Sequence, residues 1–430
     1  MNLRSQAFAI LFTVSLIAAG GNMALQSVLP TIGREFGLSD TLVAGAFALS
    51  ALLWTLASPV WARRSDVWGR KRTILVGLAG FVVSMAGFGL ATTAGLEGWL
   101  AVGLAFTLMG AARAVYGLFG SAAPIASQAY VADRTTQGER TRAMSLLASA
   151  QGLGTVVGPT LAPFLVLPIV GLAGPLYAFA AIGALVLVWV WKRLPSGEVA
   201  RLPTDRPVAR GLWRDPRIAG HLAFGVLVTG VQAVNISVLG FHVIDEMAVQ
   251  GLDPAQAQPF IGLAMFAGAA ATLLAQWGLI PLLNLQPRAL MRWGAGLALA
   301  GNLLSVGATD FFAVTVGYAL VSLGLGFARP GFTAGSSLAV GPAEQGAVAG
   351  LMMSLAGLSF LAPPVIGVAL YEWREPAPFV LNVVLTGMAL ILAFTLRSLG
   401  APPPADAVSA DVRERAAAQP ASQPGPEGSR

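Results

Sequence analysis

Three shortages narrow what this 430-residue sequence can be. It has no cysteine, which excludes disulfides, thiol catalysis and thiolate metal sites. It has two histidines, His221 and His242, and no carboxylate is read at ligand spacing from either within one helix. Both are therefore read as polar helix residues near a membrane surface, and no metal site is expected. Charged residues make up only 11% of the chain, against 56% hydrophobic. No nucleophile–base pair, Walker-type phosphate loop or metal cluster stands out, so neither an enzyme nor a direct user of ATP is expected, and no cofactor. The basic residues form no domain of their own, so the pI near 10.3 does not call for a nucleic-acid partner.

What is present is apolar length. Mean hydropathy is +0.72. Twelve apolar stretches fill the chain at roughly 7–29, 42–62, 73–94, 99–127, 142–165, 168–191, 218–243, 258–283, 289–308, 311–338, 346–371 and 377–397. A helix crossing about 30 Å of hydrocarbon needs about 20 such residues, and lipid leaves the backbone no partner but its own helix. The reading is an all-α membrane protein of twelve transmembrane helices. The first stretch is too long for a signal peptide and is followed at once by others, so it is expected to stay as a helix.

Basic residues fall in alternate gaps. One side collects Arg4, then Arg63, Arg64, Arg70, Lys71 and Arg72, then Arg134, Arg140 and Arg142, the stretch from Lys192 to Arg217, Arg288, Arg292 and Arg397. The other shows Arg34 and Arg374. The positive-inside rule then puts both termini and the long central loop in the cytoplasm. The expected location is the inner membrane of a bacterium.

The chain divides in the middle. Lys192 to Arg217 carries seven basic residues among prolines and reads as a cytoplasmic linker. This gives an N-terminal six-helix half (1–194), a linker (195–216), a C-terminal six-helix half (217–399) and a polar, Pro/Ala-rich tail (400–430) expected to be disordered. The halves echo each other. Gly120-Ser-Ala-Ala-Pro124 resembles Gly326-Phe-Ala-Arg-Pro330, and Gly158-Pro159 resembles Ala362-Pro363, at offsets of 206 and 204 residues. Parallel six-helix halves with a binding site between them near the midplane are a secondary-transporter plan. The 51 glycines suit close helix packing in lipid.

Three motifs narrow the family. Ser65-Asp66-Val67-Trp68-Gly69-Arg70-Lys71-Arg72 lies between the second and third stretches. It resembles the cytoplasmic signature of the major facilitator superfamily, Gly-x-x-x-Asp-Arg-x-Gly-Arg-Arg/Lys. Asp66, Gly69, Arg70 and Lys71 match; Ala62 and Val67 depart from it. Gly69 permits a tight turn, Asp66 can sit at a helix N-terminus, and Arg70 can pair with it. The resemblance covers about residues 5–398 and implies the major facilitator fold and a cytoplasmic gate built on this cluster. Gly154-x-x-x-Gly158-Pro159 resembles the fifth-span motif of the drug:proton antiporter branch, with Ala162 and Pro163 in place of its last two glycines. Arg113-Ala-Val-Tyr-Gly117 resembles the family's Arg-x-x-x-Gly motif, linked there to proton transfer, with Tyr116 in place of the usual Gln.

An Arg at midmembrane costs at least about 2.5–3.5 kcal/mol, so Arg113 should face a cavity or a polar partner. Arg329 either snorkels to the cytoplasm or touches substrate. All twenty acids fall outside or at the edges of the stretches. The buried acid that many such antiporters carry in span 1 is missing; Asn22 and Gln26 stand there instead. Gln232 and Asn235 occupy the equivalent seventh span. These four polar residues, with Tyr116, are candidates to line a pathway, or else to bond helices together. The expected function is proton-coupled efflux of small organic molecules by a monomer in the bilayer. Uptake or facilitated transport of a small anionic metabolite stays open, as does a non-transporting receptor or assembly factor. If protons drive transport, their titrating group belongs near a membrane edge, with Asp133, Asp245 and Glu246 the first candidates.

Overall fold

The computed structural model describes residues 3–135, 137–196, 214–341, 344, 348, 351–352, 358–359 and 361–395. The expected linker between 197 and 213 and the tail from 396 lie outside the described residues. The architecture is all-helical: α1 (Leu3–Glu35), α2 (Asp40–Trp68), α3 (Arg70–Leu96), α4 (Val102–Phe119), α5 (Ala122–Arg134), α6 (Gln137–Leu165), α7 (Gly174–Arg193), α8 (Pro216–Val249), α9 (Pro254–Leu273), α10 (Ile280–Leu283), α11 (Pro287–Val306), α12 (Phe311–Leu338), α13 (Pro363–Trp373) and α14 (Ala377–Thr395). A π-helical turn, Leu274–Leu279, joins α9 to α10.

Among the described residues, nine helical segments are long and apolar enough to cross a membrane. The α4–α5 pair counts as one of them. With α6, α11 and α13, these match the twelve expected stretches in order. Four helices start where a short polar side chain satisfies a free N–H: α2, α8, α9 and α12. Ser39 accepts from the Leu42 amide at the head of α2, and Asp310 from the Ala313 amide at the head of α12. Asp253 and Gln256 form a capping box on α9.

Several boundaries differ from the sequence reading. The fourth stretch bends at Gly120–Ser121 into α4 and α5, whereas α12 runs unbroken through Gly326 and Pro330. The echo between these two motifs is one of sequence, not of local geometry. Helix α8 continues to Val249, so Asp245 and Glu246 lie within its last turn and a half rather than beyond it. The sixth stretch starts as a helix only at Gly174.

The largest buried cluster holds Leu25, Val28 and Ile32 of α1 with Phe81, Met85 and Phe88 of α3. It continues into Val234, Val238 and Phe241 of α8 and Val368 of α13. Helices before and after the undescribed linker therefore share one core. Close approach of backbones supports it. A side chain on Gly154 would strike the Leu16 carbonyl of α1 at 2.5 Å, and one on Gly158 would strike the Gly20 carbonyl. Small residues are what lets two helices pack this tightly without a hydrophobic drive from water.

Candidate functional site: an arginine in an acid-free cavity

Arg113 sits midway along α4 with 2% of its surface exposed. Its Nη2 donates to Asn22 Oδ1 of α1 at 3.2 Å. The guanidinium lies 4.5 Å from the Phe47 ring centroid and 4.8 Å from that of Tyr116. Both contacts are cation–π interactions, which strengthen when desolvated. Its Nε and Nη1 have no hydrogen-bond partner and are buried. Two of the three guanidinium nitrogens are thus left, among the described residues, to be satisfied by something else, since a buried donor without a partner costs free energy.

These groups wall a cavity of about 250 Å³. Asn22, Gln26, Phe47, Trp54, Arg113 and Tyr116 supply one side, and Ser237 of α8 and Pro364 of α13 the other. Trp54 and Tyr116 pack with ring centroids 5.4 Å apart. Among the described residues, no carboxylate lines it. A desolvated, partly unpaired guanidinium in an aromatic cavity without an acid attracts a carboxylate or phosphate, which its fork can bind through two hydrogen bonds.

The expected pathway residues divide in the structure. Asn22, Gln26, Arg113 and Tyr116 come together. Asn235 faces elsewhere: its amide nitrogen donates to Val231 O at 3.0 Å and to Asn302 Oδ1 of α11 at 3.1 Å. That is an interhelical hydrogen bond between helices packed in lipid. Gln232 is half-buried outside the cavity wall. Arg329 is exposed on α12. Phe47, Ser237 and Pro364 were not legible as site residues, because apolar and single-hydroxyl residues in spans carry no signal of facing a cavity.

At one end of the bundle, Arg70 heads α3. It donates to Asp66 and, at 2.9 Å each, to Ser65 Oγ and to Asp133 Oδ2 of α5. Lys71 lines a separate cavity of about 440 Å³ at this end, with Arg70 and Asp133. Gly69 joins α2 to α3 at φ 89°, a left-handed backbone that side chains resist. Asp66 corrects the sequence reading: it lies in the last turn of α2, near a helix C-terminus, not at an N-terminus. The helix dipole is unfavourable to it there, and the Arg70 ion pair offsets that. Elsewhere, Arg217 at the head of α8 pairs with Asp215 and Glu344 and holds both carboxyls below their usual range.

The opposite end ties α1 and α2 to the helices after residue 214. Arg34 grips Asp40 through two hydrogen bonds of 2.8 and 2.7 Å and reaches Asp245 of α8 at 3.1 Å. Tyr371 of α13 donates to the same Asp245 carboxylate at 2.8 Å. Thr41 donates to Glu372, and Thr31 to Gln258 at 2.9 Å. A further tie is apolar. Gly262 of α9 rests on Pro159 and Pro163 of α6. Gly154, Gly158 and Pro159 therefore serve two neighbours, α1 and α9.

The expectation that neither histidine has a carboxylate at ligand spacing is overturned at this end. His242 and Glu246 stand one helical turn apart on α8, and one donor atom from each lies within 4.8 Å of Glu375. The i, i+4 spacing was in the sequence; Glu375 joins it only through the fold.

Comparison with known proteins follows this geometry. A family model described as the Major Facilitator Superfamily matches residues 11–283. No curated protein sequence matches the chain. Among solved structures, a bacterial homolog of the human lysosomal transporter Spinster, in an inward-facing and unoccupied conformation, superposes with a TM-score of 0.71 at 14% identity, covering 92% of this chain and 97% of its own. The human organic anion transporter TETRAN gives 0.62 at 18%, covering 91% and 100%. A mutant of the nucleoside transporter NupG gives 0.67 at 13%, covering 92% and 100%. At such identities the likeness speaks for the fold. The family match spans well over half of the sequence and agrees with that fold: this chain is a multi-pass membrane protein that belongs to the Major Facilitator Superfamily.

Proposed function

We propose that the protein is a secondary active transporter that moves small organic molecules bearing a carboxylate or phosphate, by alternating access around the Arg113 cavity. The observation that carries this reading is the pair of unpartnered, buried nitrogens of Arg113 in a cavity with no acid. Phe47, Trp54 and Tyr116 offer apolar surface for the body of such a molecule. The TETRAN structure, an organic anion transporter by its description, shows that the same fold serves anions elsewhere.

The direction we propose is export, and the driving ion the proton. The glycine–proline motif of α6, which resembles that of drug:proton antiporters, supports export. The positive-inside pattern places the Arg70 end in the cytoplasm and the Arg34 end outside, in the inner membrane of a bacterium. On that orientation the ties through Arg34, Asp245 and Tyr371 describe a state closed to the outside. Residues 1–194 and 217–399 act as the two moving halves, joined by the 195–216 linker. Asp66, Gly69, Arg70 and Lys71 are then part of the inner gate, and the carboxylates near the membrane edges, Asp133, Asp245 and Glu246, are the candidates for coupling.

Reconstitution tests the reading. Purified protein in liposomes carrying a pH-sensitive dye should move protons when organic anions are offered, and not when permanent dications are. Proton flux driven equally by ethidium, and unchanged in an Arg113→Gln variant, would sink the anion assignment.

A further inference from the structure

His242 is a buried polar side chain outside the cavity that the proposed function leaves unused. It lies on α8 with 2% of its surface exposed. Nδ1 is 3.1 Å from Glu375 Oε1 and 3.3 Å from the Tyr371 hydroxyl. Nε2 is buried without a partner among the described residues. The rings of Phe379 and Tyr371 hold the imidazole in place, with centroids 5.1 and 5.8 Å away. Glu246, one turn along the same helix, is 8% exposed. Glu375, in the turn between α13 and α14, keeps about half of its side chain exposed.

We infer that His242, Glu246 and Glu375 form a binding site for a divalent transition-metal cation, zinc above all, at the Arg34 end of the bundle. One donor atom from each of the three lies within 4.8 Å of the others. Two ligands held about 2.1 Å from a zinc ion at a tetrahedral angle stand roughly 3.4 Å apart. The 3.1 Å between Nδ1 and Glu375 Oε1 is close to that spacing. One imidazole and two carboxylates are an open set that leaves the fourth position to water. The imidazole selects against magnesium and calcium, which prefer oxygen alone.

Access and charge agree. Glu375 also lines a second, open cavity of about 540 Å³ with Arg34, Asp40, Asp245, Glu372 and Arg374. Counting Glu246, five carboxylates there face two guanidinium groups. A cation entering from this side meets a negative surface first, which raises its local concentration. All three ligands come from the helices after residue 214. Binding would leave the halves free to move, yet it would draw His242 away from the Tyr371 hydroxyl.

The test uses the full chain in detergent with a non-histidine tag. Zinc binding is read by equilibrium dialysis in chelator-free buffer, and melting by intrinsic tryptophan fluorescence, the chain having ten Trp and no Cys. The expected result is one zinc ion per chain and a raised melting temperature. Glu375→Gln, at a half-exposed position where folding is unaffected, should weaken binding at least tenfold, as should His242→Gln. A remote control, Asp253→Asn, should bind like the parent. Absence of stoichiometric zinc, or equal binding by the parent and the Glu375→Gln and His242→Gln variants, would overturn the site. So would a loss in Asp253→Asn as large as theirs, which would mark diffuse surface binding.

Discussion

Gly262 of α9 presses on Pro163 of α6: a methyl group added to the glycine would come within 2.5 Å of the proline Cγ and 3.1 Å of the Pro159 carbonyl. Pro30 of α1 meets Gly240 of α8 in the same way, also at 2.5 Å. At both places a proline ring on an early helix fills the room a glycine leaves on a later one. Neither residue can rotate a side chain out of the way. The contacts suit surfaces that rock against each other while staying in touch.

Filling that room should therefore disturb transport more than insertion. Gly262→Leu would overpack the α6–α9 contact, at a cost of about 1–3 kcal/mol. The expected outcome is normal membrane yield, a lower melting temperature and transport reduced at least tenfold. Gly103→Leu, at an exposed position of α4 where an added carbon would meet nothing within 4 Å, is the control. Equal transport by the two variants would show that the α6–α9 contact does not matter for turnover.

The fold was legible because lipid imposes one rule on every residue of a span. Apolar length gave the helices, and α12 matches its expected bounds at both ends. What failed was local. The bend at Gly120–Ser121 and the π-helical turn after Leu273 depend on packing between helices, and no run of hydropathy records that. The site was half legible. Arg113, Asn22 and Gln26 announce themselves because a polar group in hydrocarbon needs a reason. Asn235 looks the same in sequence and spends its amide on Asn302 instead. Glu375 lies well over a hundred residues from His242 and could be joined to it only by the fold.

Arg70 holds together the turn at the opposite end. Its guanidinium bridges Asp66 of α2 and Asp133 of α5, and Gly69 makes the turn possible. Asp133→Asn removes a partner that is only 18% exposed, so the ion pair is partly desolvated. Transport should fall several-fold with little change in melting temperature, since pairs near a surface contribute about 1 kcal/mol or less. Gly69→Ala should act differently, costing about 1–3 kcal/mol of stability, because φ 89°, ψ 148° is a backbone conformation open essentially to glycine. Thermal melts and transport assays on both variants separate the roles. A melting loss in Asp133→Asn as large as that in Gly69→Ala would refute the distinction.

Tyr371 and Arg34 share the Asp245 carboxylate, and the first comes from α13, the second from α1. Tyr371→Phe deletes one hydroxyl without changing packing volume. A hydrogen bond to a charged group contributes about 1.5–3 kcal/mol, but the Asp245 side chain is 35% exposed, so the expected shift is at the low end or below. Tyr371 and Asp245 both belong to the half after residue 217, so the bond acts by positioning the carboxylate that Arg34 reaches across the halves, and the population closed at this end should drop. The chain lacks cysteine, so a single Ser237→Cys in the cavity wall gives a clean reporter. Membrane-impermeant thiol reagents added from the Arg34 side should label it faster in the Tyr371→Phe background. Identical labelling rates would mean that the tie does not hold the bundle closed.

Arg113 offers the sharpest test of substrate chemistry. Two of its nitrogens are buried and unpartnered, while the third is committed to Asn22 and the plane is stacked between Phe47 and Tyr116. A purely structural arginine would spend its donors on backbone carbonyls, and these do not. Arg113→Lys retains the charge but loses the planar fork and the stacking. Anion transport should fall at least tenfold, a change of about 1.4 kcal/mol, while transport of neutral aromatic compounds changes little. Asn22→Leu should behave in the opposite sense. It removes the acceptor that competes for the guanidinium, so anions should bind no more weakly and the variant should lose selectivity between carboxylates of different shape. Competition assays in proteoliposomes, with carboxylate, neutral and dicationic probes of similar size, measure all three variables together. If Arg113→Lys lowers transport of neutral and anionic probes by the same factor, the arginine is a structural post, and the cavity selects its cargo by shape instead.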